Sequence, residues 1–120
     1  PIQYAIGFPE RIKNNFPRFN FLDYPTLNFE PPNTKIFRNL ALSFEALEIG
    51  GNMPCVLNAA NEVVVEAFLN RKIRFLQIPE IIEEAMHKVA WVKKPGLDDL
   101  IQTNAETRRR TELLIEERKN

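Results

Sequence analysis

Residues 54–70, PCVLNAANEVVVEAFLN, decide how the rest of the chain is read. Val56, Leu57, Ala60, Val63, Val64, Ala67 and Phe68 recur at helical spacing over so wide an arc that the segment predicts the central, most buried helix of a core. Upstream, Phe37, Leu40, Ala41, Phe44 and Leu47 follow the period of one helix face and predict a helix with that stripe turned inward. Gly50-Gly51 ends it, since glycine tolerates the left-handed geometry past a helix C-terminus. Downstream, Ile73 to Leu76 lead to Pro79, well placed at the first position of a third helix, and Ile78, Ile81, Ile82, Ala85 and Val89 form its buried stripe. After the break at Pro95-Gly96, Leu97, Leu100 and Ile101 predict one short turn. A last helix is then expected to open at Thr103-Asn104-Ala105-Glu106, read as a capping box, with Leu113, Leu114 and Ile115 in its body. With no parallel-sheet pattern, the expectation is an all-α, four-helix bundle-like domain over residues 36–120.

Residues 1–35 have a different composition. Six of the nine prolines and six of the nine phenylalanines precede Arg38. Each proline lacks a donor N–H and biases its predecessor toward extended geometry, so no long helix fits. One helical turn at Ile2, Ala5 and Ile6 is allowed, and Thr26 to Glu30 alternates weakly enough to predict at most a short edge strand. Phe16, Phe19, Phe21, Leu22, Tyr24, Leu27 and Phe29 are more apolar than a disordered linker would carry. The segment reads as an extended arm that needs a surface to pack against, and whose exposed apolar groups favour self-association or arm exchange between copies.

Composition narrows the function classes. With 120 residues the chain has length for one domain plus an arm, and folding should remove roughly two thirds of its unfolded surface from water. Sixteen basic residues balance sixteen acidic ones for a formal net charge of zero, which removes the electrostatic argument for nucleic acid or an anionic membrane surface. The single cysteine, Cys55, cannot form an internal disulfide, and no apolar run approaches the roughly 18–20 residues of a membrane helix. A cytoplasmic protein is expected. The start at Pro1 fits either a mature terminus or a cut fragment.

Few residues invite a chemical reading. Asn58, Asn61 and Glu62 stand at i, i+3 and i+4, so they share a helix face beside the small Ala59 and Ala60. The stripe suits a ligand site, but a structural polar network holding neighbouring loops or helix ends is the favoured reading. His87, the only histidine, lies near Glu83 and Glu84 without a nucleophile or metal partner and reads as a surface residue. Cys55 reads as a small packed hydrophobe, Trp91 as an anchor for the crossing chain, and Arg108-Arg109-Arg110, interleaved with glutamates, as an ion-paired face. There is no glycine-rich phosphate loop, no Cys/His metal spacing and no serine triad, so catalytic, cofactor-binding and metal residues are all expected to be absent.

Several separated motifs, in order, carry a resemblance across essentially the whole chain. Pro1-Ile2-Gln3-Tyr4-Ala5 with Pro9-Glu10-Arg11, then Leu27-Asn28-Phe29-Glu30-Pro31-Pro32, then Leu57-Asn58-Ala59-Ala60-Asn61-Glu62 are followed by Glu66-Ala67-Phe68-Leu69 and by Ile73-Arg74-Phe75-Leu76-Gln77-Ile78-Pro79. This pattern resembles the C-terminal part of the 1-deoxy-D-xylulose 5-phosphate reductoisomerase family, with a departure at Arg38-Asn39, where relatives often have Pro-Cys. The resemblance implies an NADPH-dependent isomerising oxidoreductase of non-mevalonate isoprenoid synthesis that uses a divalent metal, Mg or Mn. It further implies a dinucleotide domain and a catalytic domain lying ahead of Pro1, so that none of the family's cofactor, metal or phosphate contacts transfers to a position in this chain. The chain would be a linker arm plus a bundle that braces its partner, the catalytic domain of the parent chain. A free-standing helical protein-interaction module is the alternative.

Overall fold

The structure is a computed structural model and describes residues 2–118. By internal contacts the chain forms two units, Pro1–Pro31 and Pro32–Asn120. In the first, a short helix α1 (Ile2–Gly7) is followed by turns and irregular backbone, and the Phe8–Pro9 peptide bond is cis. Thr26 to Glu30, where the sequence allows at most a short edge strand, forms none, and no strand occurs among the described residues. Local ring contacts organise this unit: Tyr4 lies edge-on to Phe8, Phe19 stacks on Tyr24, and the Arg11 guanidinium sits 4.8 Å from the Tyr4 ring centre.

The second unit holds four longer helices, α2 (Arg38–Ile49), α3 (Met53–Leu69), α4 (Gln77–Lys88) and α5 (Leu97–Glu117). Helix α3 packs against all three others, as its wide apolar arc requires. Val56, Ala59, Ala60 and Val64 are fully buried on it, and Leu42, Ile81, Ile82 and Leu114 close over them from α2, α4 and α5. Burying the valine, leucine and isoleucine side chains among these contributes roughly 1.5–3 kcal/mol each, which makes this core the main source of stability.

Helix α4 opens at Gln77, two residues ahead of the expected start at Pro79, and two other helices depart further from the sequence reading. On α2 the buried residues are Leu42 and Ala46, on the side opposite the expected stripe, and Phe37 at its N-cap, Phe44 and Leu47 face outward, 61%, 53% and 70% exposed. Small Ala46 lets α2 approach α3 more closely than Phe44 would. On α5 there is no separate short turn and no helix start at Thr103. The helix runs unbroken from Leu97, where the Gly96 N–H donates to Asp99 Oδ2 at 2.9 Å and Asp98 and Asp99 favour the positive end of the helix dipole. Thr103, Thr107 and Thr111 are instead the buried face of α5, at successive i+4 positions. The hydroxyls of Thr107 and Thr111 donate to the carbonyls of Thr103 and Thr107 at 2.6 and 2.7 Å, so burial leaves them satisfied.

Candidate functional site

The polar residues singled out from the sequence do not act as one group. Asn58 Nδ2 donates to Glu62 Oε1 at 3.0 Å, and Arg108 of α5 donates to Glu62 Oε2 at 2.6 Å, so these three tie α3 to α5. Asn61 faces elsewhere, into a shallow groove it lines with Asn39, Ser43, Leu57 and Ile82. Asn58 and Glu62 lie on the surface, with 52% of the Glu62 side chain exposed. The Arg108 hydrogen bond, followed by that of Asn58, holds the Glu62 carboxyl below its ordinary range. An exposed pair of this kind is weakened by solvent and salt. Thermal melts of Glu62→Gln should therefore show a smaller change than any core polar substitution, and one that disappears at about 1 M salt.

The buried polar centre is Asn52, 1% exposed, in the turn between α2 and α3. Its backbone N–H donates to the Val92 carbonyl at 3.1 Å, and its Oδ1 accepts from the Val92 N–H at 3.0 Å, so a side chain and a backbone together imitate a strand pairing. Its Nδ2 donates to Ala90 O and to Thr103 Oγ1, both at 3.0 Å. One residue thereby fastens the chain crossing after α4 and the second turn of α5 to the start of α3. Trp91 completes the arrangement by donating its indole N–H to Gly50 O at 3.3 Å. The sequence reading took Trp91 as an anchor but missed Asn52. The available signal was an amide following a Gly-Gly pair, ahead of a helix with Pro54 in its first turn.

Ion pairs rim the bundle. Arg38 of α2 is held by Glu83 of α4 and by Glu45, which together keep its guanidinium above its ordinary pKa. Glu84 accepts from Lys88 at 2.6 Å and from Arg118 at 2.9 Å, and Glu106 from Arg109 and Arg110. In Glu83, Glu84 and Glu106, as in Glu62, the hydrogen-bonded cation lowers the carboxyl pKa, with Arg38, Lys88 and Arg109 the largest causes respectively. A carboxyl whose folded pKa lies below its unfolded value of about 4.3 stabilises the fold above that value. The contribution is lost as pH falls through the folded pKa. Melting temperature should therefore be flat near neutrality and decline below about pH 5. Arg38→Met should remove part of that acid-side slope, and an unchanged slope would count against the ion pairs as its cause.

Among the described residues no three of His, Cys, Asp and Glu are grouped to hold an ion. The Gly50-Gly51 pair ahead of α3 is filled by the chain's own backbone: a Cβ at Gly51 would collide with the Val92 carbonyl oxygen. His87 is exposed on the last turn of α4. Cys55 is half-buried, its thiol contacts Leu100 O at 3.5 Å, and burial pushes its pKa up, away from a reactive thiolate.

Helices around one core, locked by a polar hub that closes onto its own backbone, define an all-α bundle domain. Residues 1–110 match the family described as the DXP reductoisomerase C-terminal domain, and the chain belongs to that family. The 1-deoxy-D-xylulose 5-phosphate reductoisomerase of Phocaeicola vulgatus is 56% identical over 109 residues, covering 91% of this chain and 28% of that protein. That of Bacteroides fragilis is 51% identical over 115 residues, covering 96% of this chain and 30% of the relative. Among solved structures, the Zymomonas mobilis enzyme in complex with NADPH superposes with a TM-score of 0.82 at 32% identity, over 96% of this chain and 30% of its own. A DOX-P reductoisomerase in complex with magnesium gives 0.83 at 26% identity, over 99% and 32%. The chain thus spans under a third of the length of the relatives it matches.

Proposed function

We propose that this chain is the C-terminal bracing domain of an NADPH-dependent 1-deoxy-D-xylulose 5-phosphate reductoisomerase. The observation that carries the reading is the family match across residues 1–110, joined to an all-helical fold shared with two reductoisomerase structures. In the full protein the substrate, NADPH and a divalent ion such as magnesium would be held by the remaining two thirds or more of the polypeptide, in the cytoplasm. No chemical step is assigned to these residues. Asn58 and Glu62 would serve the domain's integrity by linking α3 to α5, with Asn61 facing a neighbouring surface. The apolar groups of the first unit, among them Phe8, Phe16, Phe21 and Phe29, would pack in the parent and cause self-association when the chain stands alone.

The test is an assay of NADPH oxidation with 1-deoxyxylulose 5-phosphate and magnesium. The full-length protein should turn over and residues 1–120 should not; turnover by the shorter chain, or none by the longer, would overturn the reading. Within the full-length enzyme, Glu62→Ala should leave kcat near the parent value. A large loss of kcat with an unchanged melting temperature would instead make Glu62 catalytic.

A further inference from the structure

Helix α2 is apolar on two opposite sides, and its fold uses only one of them. Leu42 and Ala46 enter the core, while Phe37, Phe44 and Leu47, with half-buried Leu40 between them, run along the outside at helical spacing. Beside the start of this stripe lies an open groove of about 310 Å³ lined chiefly by Ile36, Phe37, Leu40, Phe75, Leu76 and Pro79. Phe75 and Leu76 are 67% and 72% exposed. The charged side chain on the groove wall, Arg38, is already held by Glu45 and Glu83. Asn39, shared with the adjoining groove, and Asn61 within it have no hydrogen-bond partner for their side chains among the described residues. An apolar centre, neutral in charge and edged by free amides and satisfied ion pairs, has the anatomy of a protein interface core with its rim. The outer side of α5 differs: its exposed Leu97, Ile101 and Leu113 stand among paired arginines and glutamates.

We propose that this outer face of α2 is where the bundle seats on the preceding part of a full-length reductoisomerase chain, an inference that rests on the function proposed above. The occupant follows from charge and from tethering. A neutral groove whose cation is spoken for offers nothing to nucleic acid or an acidic peptide. Relatives are matched over only 28–30% of their length, so most of such a polypeptide is joined covalently to a bundle of this kind. A tethered surface acts at an effective concentration on the order of millimolar, far above that of a second copy met by diffusion. Its contacting groups should be apolar side chains with backbone amides that meet Asn39 and Asn61.

The experiment uses the full-length protein carrying Phe44→Cys or Leu47→Cys, with Leu113→Cys on α5 as the exposed reference, and reads maleimide modification at each position by peptide mass. Thiols at positions 44 and 47 should react at least about tenfold more slowly than at 113, as a covered surface does. Equal rates would overturn the proposal. Photocrosslinking from Phe44→p-benzoylphenylalanine should capture peptides that precede residue 1 of this sequence. Capture of residues 1–31, or of a second chain, or protection that vanishes on dilution, would also overturn it. Turnover of the same full-length proteins separates the two levels. Active enzyme with unprotected thiols rejects the docking face alone, whereas an inactive unmodified enzyme rejects the function beneath it.

Discussion

Replacing Asn52 by alanine is expected to cost the domain about 3–5 kcal/mol, a large share of the stability a domain of this size has. The substitution removes a side chain that is 1% exposed and that satisfies the Val92 N–H, the Ala90 carbonyl and the Thr103 hydroxyl at 3.0 Å each. Each orphaned buried group costs about 1–3 kcal/mol, and movement of the crossing chain toward solvent recovers part of that sum. The backbone bond from Asn52 N–H to Val92 O remains available, so the variant should still fold. Urea unfolding should show a lower midpoint with an unchanged slope. Asn58→Ala, one and a half turns into the same helix but exposed, should lie within about 0.5 kcal/mol of the parent. A loss below about 1 kcal/mol for Asn52→Ala would mean that water replaces the amide without penalty and that the hub does not hold the fold.

The contrast between Asn52 and Asn58 also marks the limit of what the chain displays before it folds. Helices are legible because their signal is periodic and local. The wide arc of α3 identified the central helix, and Pro79 and the Gly50-Gly51 pair fell close to true boundaries. Facing is less legible where two stripes compete. Phe37, Leu40, Phe44 and Leu47 outweigh Leu42 and Ala46 in hydrophobicity, yet close packing on α3 selects the smaller set. Thr103 misled for a different reason. A hydroxyl ahead of Glu106 imitates a helix cap, but it is also a side chain that can be buried once Asn52 reaches it and its neighbours bond back along the helix. For Asn52 the local pattern offers only an amide after Gly50-Gly51 and says nothing of its role, since its partners lie 38 to 51 positions away in sequence. The family was legible from the order of several short motifs, while the polar site was only partly so: the i, i+4 pair Asn58 and Glu62 meets, and Asn61 does not join it.

Gly51→Ala should be about as damaging as the loss of Asn52, and it tests the same hub from the backbone side. Gly50 and Gly51 both have positive φ, 64° and 61°, so a side chain is strained at either position. At Gly50, with ψ of −153°, the backbone lies in a region that is nearly glycine's alone, worth about 1–3 kcal/mol, but an added Cβ meets nothing within 4 Å. At Gly51 the left-handed geometry itself costs roughly 1–2 kcal/mol. There the Cβ also runs into the Val92 carbonyl oxygen and stands 2.9 Å from Trp91 Nε1. Relief requires moving the crossing chain, and that chain is bound through Val92 to both the backbone and the side chain of Asn52 and through Trp91 to Gly50. The collision therefore spends its energy on the hub, and a total of about 4 kcal/mol or more is expected, above the cost of Gly50→Ala. Trp91, the only tryptophan, reports the difference directly. Gly51→Ala should shift its emission to the red as the indole loses the Gly50 carbonyl and gains water, and Gly50→Ala should leave it in place. Equal losses of stability with unchanged emission in both variants would show that the turn is strained but not braced, and that the crossing chain is free to give way.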